Sequence, residues 1–177
     1  QRKALIALII VLVIIILYIA WAFRKIGDVT RDKKEAFKFG AAAVIALFHD
    51  VLIVIGLFAV LGKFLGVELD VSFVAAILTV LGYSVNDTIV IFDRLRENLL
   101  ARSANTFTEA TDKSIKETMS RSLNTAMGTL LVLFAILLFG GASIRYFALA
   151  LIVGIAFGTY SSICIASQIL IVWQGKR

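Results

Sequence analysis

The chain has 177 residues, of which 60% are hydrophobic, 17% are charged and none is proline, and its formal net charge is +6. Its mean hydropathy is +0.97. These values exclude an ordinary soluble domain and indicate an integral membrane protein.

Five apolar blocks follow one another along the chain, each near or above the roughly 17–25 residues that a helix needs to cross a bilayer. They are Ala4–Phe23, Gly40–Leu61, Val71–Phe92, Leu123–Phe139 and Tyr146–Trp173. Lipid cannot hydrogen-bond the backbone, so continuous helices are expected, and the alternating pattern of barrel strands does not occur. The sequence therefore predicts an all-α, polytopic transmembrane helix bundle that forms one domain over residues 1–177.

The basic residues are distributed unequally between the two ends of the predicted bundle. One side and the C-terminal tail hold fourteen Lys and Arg residues, whereas the other side holds four, Arg2, Lys3, Lys63 and Arg145. The positive-inside rule places the C-terminus in the cytoplasm and the N-terminus outside, and no nucleic-acid partner is expected. The first block lacks a signal-peptide cleavage pattern. We therefore expect that an earlier span carries the N-terminus across.

The longest polar stretch lies between the third and fourth blocks. It contains Thr106-Phe-Thr-Glu109, the pattern of a capping box. Apolar residues then recur at helical spacing: Phe107, Ala110, Ile115 and Met119. Residues 107–121 are therefore predicted to form a cytoplasmic amphipathic helix on the membrane surface, with a solvated connector as the alternative.

Small residues occupy every fourth position in the last block. They are Ala150, Gly154, Gly158, Ser162 and Ala166. Such a ladder allows two helix backbones to approach closely, so it predicts a helix–helix interface, either within the bundle or with a partner protein.

Two aspartates, Asp50 and Asp87, lie inside apolar blocks. An ionised aspartate at the bilayer centre costs about 2.5–3.5 kcal/mol, so such residues are usually functional, protonated or in contact with water. His49 precedes Asp50, and a hydrogen-bonded structural role for this pair is as well supported as a relay role.

Asp87 shares one helix face with Tyr83 and Asn86, and Arg121 at the start of the fourth block is its natural cationic partner. Low dielectric favours the protonated carboxyl, whereas a nearby guanidinium favours the ionised form. Movement of the arginine would therefore make the carboxyl bind and release a proton. The pattern predicts a proton relay, with a static ion pair that fixes the helix register as the alternative.

The composition gives little support to an enzymatic function. Cys164 is the only cysteine and His49 the only histidine, and no serine–histidine, cysteine–histidine or metal-ligand arrangement is present. We expect no catalytic residue, no metal and no cofactor other than the coupling ion, for which protons and sodium both remain open.

Four stretches resemble the SecF members of the SecD/SecF protein-export family, within the resistance–nodulation–division transporter superfamily. The longest is Gly82-Tyr-Ser-Val-Asn-Asp-Thr-Ile-Val-Ile-Phe-Asp-Arg-Leu-Arg-Glu-Asn98. The others are Ala46-Leu-Phe-His-Asp50, Glu117-Thr-Met-Ser-Arg-Ser-Leu-Asn124 and Gly158-Thr-Tyr-Ser-Ser-Ile163. The resemblance implies family spans two to six, without the first span and the periplasmic domain. It also implies functional roles for Asp87 and Arg121.

The family implies a subunit that uses the proton-motive force to help export polypeptides across the prokaryotic plasma (inner) membrane. It would act with SecD and the SecYEG translocon, and YajC and YidC are further candidate partners, besides the translocating polypeptide and the lipid bilayer. Two alternatives remain open: a passive scaffold of the translocon, and a small-molecule or lipid exporter of the same superfamily.

Overall fold

The bundle consists of long helices that no proline interrupts. The computed structural model describes Ile6, Ile10, Val11, residues 13–19, Trp21 and residues 33–174. The helices run as α1 Lys33–Leu65, α2 Val71–Leu100, α3 Phe107–Phe139, α4 Ala142–Ser161, a π-helical turn Ser162–Ala166 and α5 Ser167–Gln174. No strand occurs in these described ranges, and the predicted all-α fold class is confirmed.

Among the described residues, four helical stretches are long and apolar enough to cross a membrane: Phe37–Leu65, Val71–Leu100, Phe107–Phe139 and Ile144–Gln174. Of the predicted first span, Ala4–Phe23, the structure describes Ile6, Ile10, Val11, residues 13–19 and Trp21, all in helical conformation. Helices α1 to α3 have 30 to 33 residues each. At 1.5 Å per residue they are about 45–50 Å long, so they extend beyond a hydrocarbon core of about 30 Å.

Residues 107–121, predicted as a cytoplasmic amphipathic helix on the membrane surface, are continuous with the apolar block that follows them. They form the first half of α3. No glycine or proline lies near residue 121 to interrupt it. The buried face includes Ala110, Ser114 and Thr118, whereas Met119 is exposed, so the helix packs through its small residues.

Local signals end and begin the helices. Gly66 has a φ of +66°, and its N–H donates to the Gly62 carbonyl at 3.1 Å, which ends α1. Asp70 then caps α2: the backbone N–H of Phe73 donates to its Oδ1 at 2.9 Å and is the main cause that lowers the pKa of this carboxyl.

At α3 the predicted capping box forms in a modified way. Thr106 Oγ1 accepts from the N–H of Glu109 at 3.2 Å, as expected. The glutamate accepts from the backbone N–H of Asn105 at 3.0 Å, one residue before the cap. The start of α3 is therefore fixed by its own residues.

Helix α2 lies at the centre of the described bundle and packs against α1, α3 and α4. Half of its most apolar stretch is buried, compared with 17% of that of α3. Phe39 packs edge-on against Phe92 at one end of the bundle, and Phe58 packs against Phe73 at the other. Among the described candidate spans, α3 therefore has the largest share of its surface open to lipid or to a partner.

Candidate ion-relay site

Asp87 is the centre of the polar contact between α2 and α3. Its side chain is 8% exposed, and Oδ1 accepts a hydrogen bond from the Ser122 hydroxyl of α3. Its second oxygen, Oδ2, is buried and has no hydrogen-bond partner among the described residues. A buried carboxyl oxygen without a donor is costly when the group is ionised.

Arg121 acts on Asp87 only at a distance. It attracts Asp87 electrostatically, but within the described part of the chain no carboxylate oxygen lies within 4.0 Å of its guanidinium. The structure therefore has no direct Asp87–Arg121 ion pair among the described residues, and the relay role of the two residues stays a prediction. Consecutive helix residues point about 100° apart, so only one of Arg121 and Ser122 can face Asp87. The buried serine takes that place, and the arginine is exposed.

Tyr83 and Asn86, the other residues predicted to share this face of α2, differ in their burial. Tyr83 is half-buried, lies within the electrostatic reach of Asp87 and faces Thr129 and Thr159. Asn86 is exposed on α2. Only Tyr83 therefore joins Asp87 inside the bundle, and Asn86 points to its surface.

Asp50 forms a second, fully enclosed polar cluster between α1, α2 and α4. It is 0% exposed, and its Oδ2 accepts from the Ser84 hydroxyl at 2.6 Å. His49 Nδ1 lies 3.2 Å from Asp50 Oδ1, and the Ser161 hydroxyl is close to the same carboxyl. His49 itself is half-buried, so it connects this cluster with the surface of α1.

Removing the hydroxyl with Ser84→Ala is expected to destabilise the protein by about 1–3 kcal/mol, because a buried carboxyl oxygen loses its donor. Thermal unfolding of the full-length protein in detergent measures the effect. Thr79→Ala on the same helix is the matched control, since its hydroxyl is exposed and bonds only to the Ala75 carbonyl of its own helix. Equal melting temperatures of the two variants would contradict the expectation.

The last span contains a π-helical turn where it meets α2. Ser162 Oγ lies 2.8 Å from Thr88 Oγ1 of α2 and donates to the Gly158 carbonyl at 3.0 Å. The Ser167 hydroxyl donates to the Ser162 carbonyl at 3.2 Å. π-turns occur often at functional sites, and this one directs a hydroxyl from the last span towards the residue that follows Asp87.

The small-residue ladder of the last span is buried along its whole length, at Ala150, Gly154, Gly158, Ser162 and Ala166. A Cβ at Gly154 would lie 2.1 Å from a methyl carbon of Val80 on α2, and one at Gly158 would lie 3.2 Å from the Ser84 Cβ. The structure thus places the two glycines against α2, next to the Asp50 cluster. Such close approach requires glycine.

A polar network joins the C-terminal end of α2 to the first turns of α3, next to the turn that connects the two helices. Asn98 is 5% exposed and donates through Nδ2 to Ser114 Oγ at 2.8 Å and to Glu117 Oε2 at 2.9 Å. Arg94 donates to Glu117 at 2.7 Å and to Glu97 at 2.6 Å. Asn98 and Ser114 were not among the residues that the sequence pattern predicts to form a site. Their apolar neighbours gave no signal that they would meet.

Nothing in the described ranges forms a metal centre, since no three His, Cys, Asp or Glu side chains come together there. The chemistry that these residues offer is proton binding by two separated carboxyls, each held by a serine hydroxyl of a neighbouring helix. Asp50 is enclosed, whereas Asp87 keeps one oxygen without a protein donor.

Comparison with known proteins identifies a family. The family model described as "Protein export membrane protein SecD/SecF, C-terminal" matches residues 1–176. The chain is 46% identical over 176 residues to "Protein translocase subunit SecF" of Thermobaculum terrenum, covering 99% of this chain and 53% of that protein. It is 39% identical over 177 residues to "Protein translocase subunit SecDF" of Thermus thermophilus, covering 100% of this chain and 22% of that protein.

A solved structure has the same arrangement of helices. The "Crystal structure of SecDF in Super-membrane-facing form" matches with a TM-score of 0.75 and 40% identity, over 92% of this chain and 20% of that chain. The chain spans about half the length of the SecF relatives that it matches.

Proposed function

The chain belongs to the SecD/SecF C-terminal family, and we propose that it is the membrane part of an accessory subunit that helps to export polypeptides through the Sec translocation machinery. Its part would be to convert ion movement through the bilayer into a change of helix arrangement. Curated relatives of this chain are named as protein translocase subunits, and the chain is a multi-pass membrane protein.

The observation that carries this proposal is the state of Asp87. It is a carboxyl buried within a candidate span, with one oxygen hydrogen-bonded to Ser122 and the other without a partner in the described residues. Arg121 is close enough to attract it and makes no ion pair in the described part of the chain. An approach of Arg121 would favour the ionised carboxyl and its withdrawal the protonated one.

We propose protons rather than sodium as the coupling ion. Hard cations take a cage of several oxygen ligands. Among the described residues, Ser122 supplies the one hydroxyl that is hydrogen-bonded to Asp87. A proton needs a single acceptor, and Oδ2 is such an acceptor.

We expect an imposed proton gradient to stimulate preprotein translocation into membrane vesicles that carry the full-length protein. A sodium gradient of equal size is expected to have no effect, because the site offers few oxygen ligands. A protonophore is the control and should abolish the stimulation. Stimulation by sodium alone would identify the other ion. No response to either gradient would favour a passive scaffold.

A second set of spans is the proposed partner of this bundle. Polar and small residues are exposed within the candidate spans of α2 and α3: Thr79, Gly82, Asn86, Asn124, Thr125 and Gly128. Lipid cannot hydrogen-bond the side chains of Asn86 and Asn124, and the small residues beside them allow close helix packing, so helices of another polypeptide would cover this strip. The SecDF relative unites two subunit names in one chain, which supports a SecD-like partner for this strip. SecYEG, YajC and YidC are proposed as more distant partners.

The proposed orientation rests on charge. The turn between α2 and α3 and the segment before α1 would face the cytoplasm of a prokaryotic cell, because fourteen basic residues occupy that side and four occupy the other. The Asn98–Glu117 network would then lie on the cytoplasmic side of Asp87.

A further inference from the structure

An apolar groove lies between the first predicted span and the start of α1. It has a volume of about 450 Å³; Ile16 and Ile19 form one wall, and residues of α1 within 37–45 form the other. A Cβ added at Gly40 would lie 3.6 Å from Cγ2 of Ile19, so the two helices are in contact beneath the groove. Gly40 and Ala41 are the small residues that leave its space open.

The contact of α1 with the last span indicates the depth of the groove in the membrane. Lys38 Nζ donates to the backbone carbonyl of Trp173 at 3.1 Å, and Trp173 lies in the last turn of α5. Lysine and tryptophan are typical of the boundary between lipid and water. From Phe37 to Ile45, α1 rises about 12 Å, and one leaflet of the hydrocarbon core is about 15 Å thick. The groove therefore lies beside the acyl chains of a single leaflet.

Basic residues dominate the sequence at the outer end of this groove. Residues 24–38 include six lysines and arginines and three acidic residues. Lys33 and Lys34 begin α1, four and three residues before Phe37, so their backbone positions are about one turn outside the groove. Basic clusters beside a transmembrane helix attract anionic lipids, and basic pockets between spans bind their headgroups. The proposed orientation places this cluster next to the cytoplasmic leaflet, which carries anionic lipids.

The size of the groove favours an acyl chain over a helix of a partner protein. A helix with its side chains is about 10 Å wide, so a length of about 12 Å occupies about 900 Å³. That is twice the volume of the groove. An acyl chain is only one methylene group wide, and in the groove it contacts two helices at once, so it gains more dispersion contacts there than on a convex helix surface.

We propose that this groove is a binding site for an anionic phospholipid of the cytoplasmic leaflet. One acyl chain lies between the first predicted span and α1, and the phosphate lies at the level of Lys33 and Lys34. The groove supplies the affinity for the chain, and the basic cluster supplies the preference for a negative headgroup. The site depends on the proposed orientation of the bundle and is independent of ion coupling.

Photo-crosslinking of lipids to the full-length protein in vesicles tests this site. The probes are phosphatidylglycerol and phosphatidylcholine that carry a diazirine in the same acyl chain, and mass spectrometry identifies the crosslinked peptide. We expect phosphatidylglycerol to label residues 37–45 at least about fivefold more than phosphatidylcholine, since one basic residue near the headgroups changes binding by about that factor.

Gly40→Leu tests the binding of the acyl chain. The added side chain occupies the groove, so labelling of residues 37–45 by phosphatidylglycerol is expected to fall several-fold. Gly56→Leu is the matched control, because Gly56 is an exposed residue of the same helix outside the groove and a Cβ there would meet no atom within 4 Å. Its labelling should equal that of the unchanged protein.

Lys33→Gln combined with Lys34→Gln tests the recognition of the headgroup. Labelling by phosphatidylglycerol is expected to fall to the level of phosphatidylcholine, whose own labelling stays the same. Lys113→Gln combined with Lys116→Gln is the control, since it removes two positive charges from exposed positions of α3 on the same proposed side of the membrane. These variants change no packed residue of the groove, so they test the site even if Gly40→Leu is unstable.

Two results would overturn the site. Equal labelling of residues 37–45 by the two lipids would make the groove an ordinary lipid-facing surface, and no labelling by either lipid would show that a polypeptide covers it. The crosslinking needs neither an ion gradient nor a preprotein. A protein that labels as expected but does not respond to a gradient would therefore retain the lipid site and lose the proposed function.

Discussion

Asp87→Asn is expected to remove the gradient-dependent part of preprotein translocation and leave the protein folded and assembled. A proton that moves through 100 mV supplies about 2.3 kcal/mol, a factor of about 50 in an equilibrium constant, and an amide cannot carry it. Asparagine keeps an oxygen that accepts from Ser122. Its nitrogen replaces Oδ2, which has no bond to lose within the described residues. Vesicles with and without an imposed proton gradient measure the effect.

Asp112→Asn is the matched control for this experiment. It makes the same chemical change on α3, at an exposed aspartate whose contact is an ion pair with Lys116 of the same helix at 2.6 Å. Exposed pairs of this kind contribute about 0–1 kcal/mol, so full gradient dependence is expected. If Asp87→Asn keeps its gradient dependence at equal assembly, the carboxyl has a structural role and the scaffold alternative gains support.

The acidic centres of this site could be predicted because charge within an apolar block is visible in the sequence. Asp50 and Asp87 are such charges, and both are buried. Their partners could not be predicted, because a serine or threonine in a helix can bond to its own backbone and needs no neighbour. Thr79 and Thr125 do so, whereas Ser84 and Ser122 bond to aspartates.

The contact of Asp87 with Ser122 rather than with Arg121 also could not be predicted from the sequence. Opposite charge predicted the arginine as the contact, but the rotation of α3 about its axis decides which of two consecutive residues faces Asp87. That rotation is set by packing along the whole of α3, including Ala110, Ser114 and Thr118. Charge pattern alone cannot determine it.

The π-helical turn and the continuity of α3 depend on tertiary contacts in a similar way. The hydroxyl contact between Ser162 and Thr88 joins residues 74 positions apart. The first half of α3 is polar enough to lie in water by itself. It nevertheless forms one continuous helix with the apolar block, and Asn98 and Arg94 of α2 bond to its Ser114 and Glu117.

Gly154→Ala is expected to have the largest effect on stability, because the added methyl group would clash with Val80 of α2. The new Cβ would lie 2.1 Å and 2.7 Å from the two methyl carbons of Val80, whose branched side chain is stiff. Such overpacking costs about 1–3 kcal/mol, or more if the two helices must separate. A lower melting temperature and a reduced amount of full-length protein in the membrane measure it.

Gly128→Ala is the control, because its Cβ would have no atom within 4 Å, and it should leave stability unchanged or slightly raised by the better helix propensity of alanine. The double variant Gly154→Ala with Val80→Ala should recover much of the loss, since the clashing methyl groups are then absent. If the double variant is less stable than Gly154→Ala alone, the clash with the Val80 methyl groups is not the reason that alanine destabilises this position. The close contact of the last span with α2 would then have another cause.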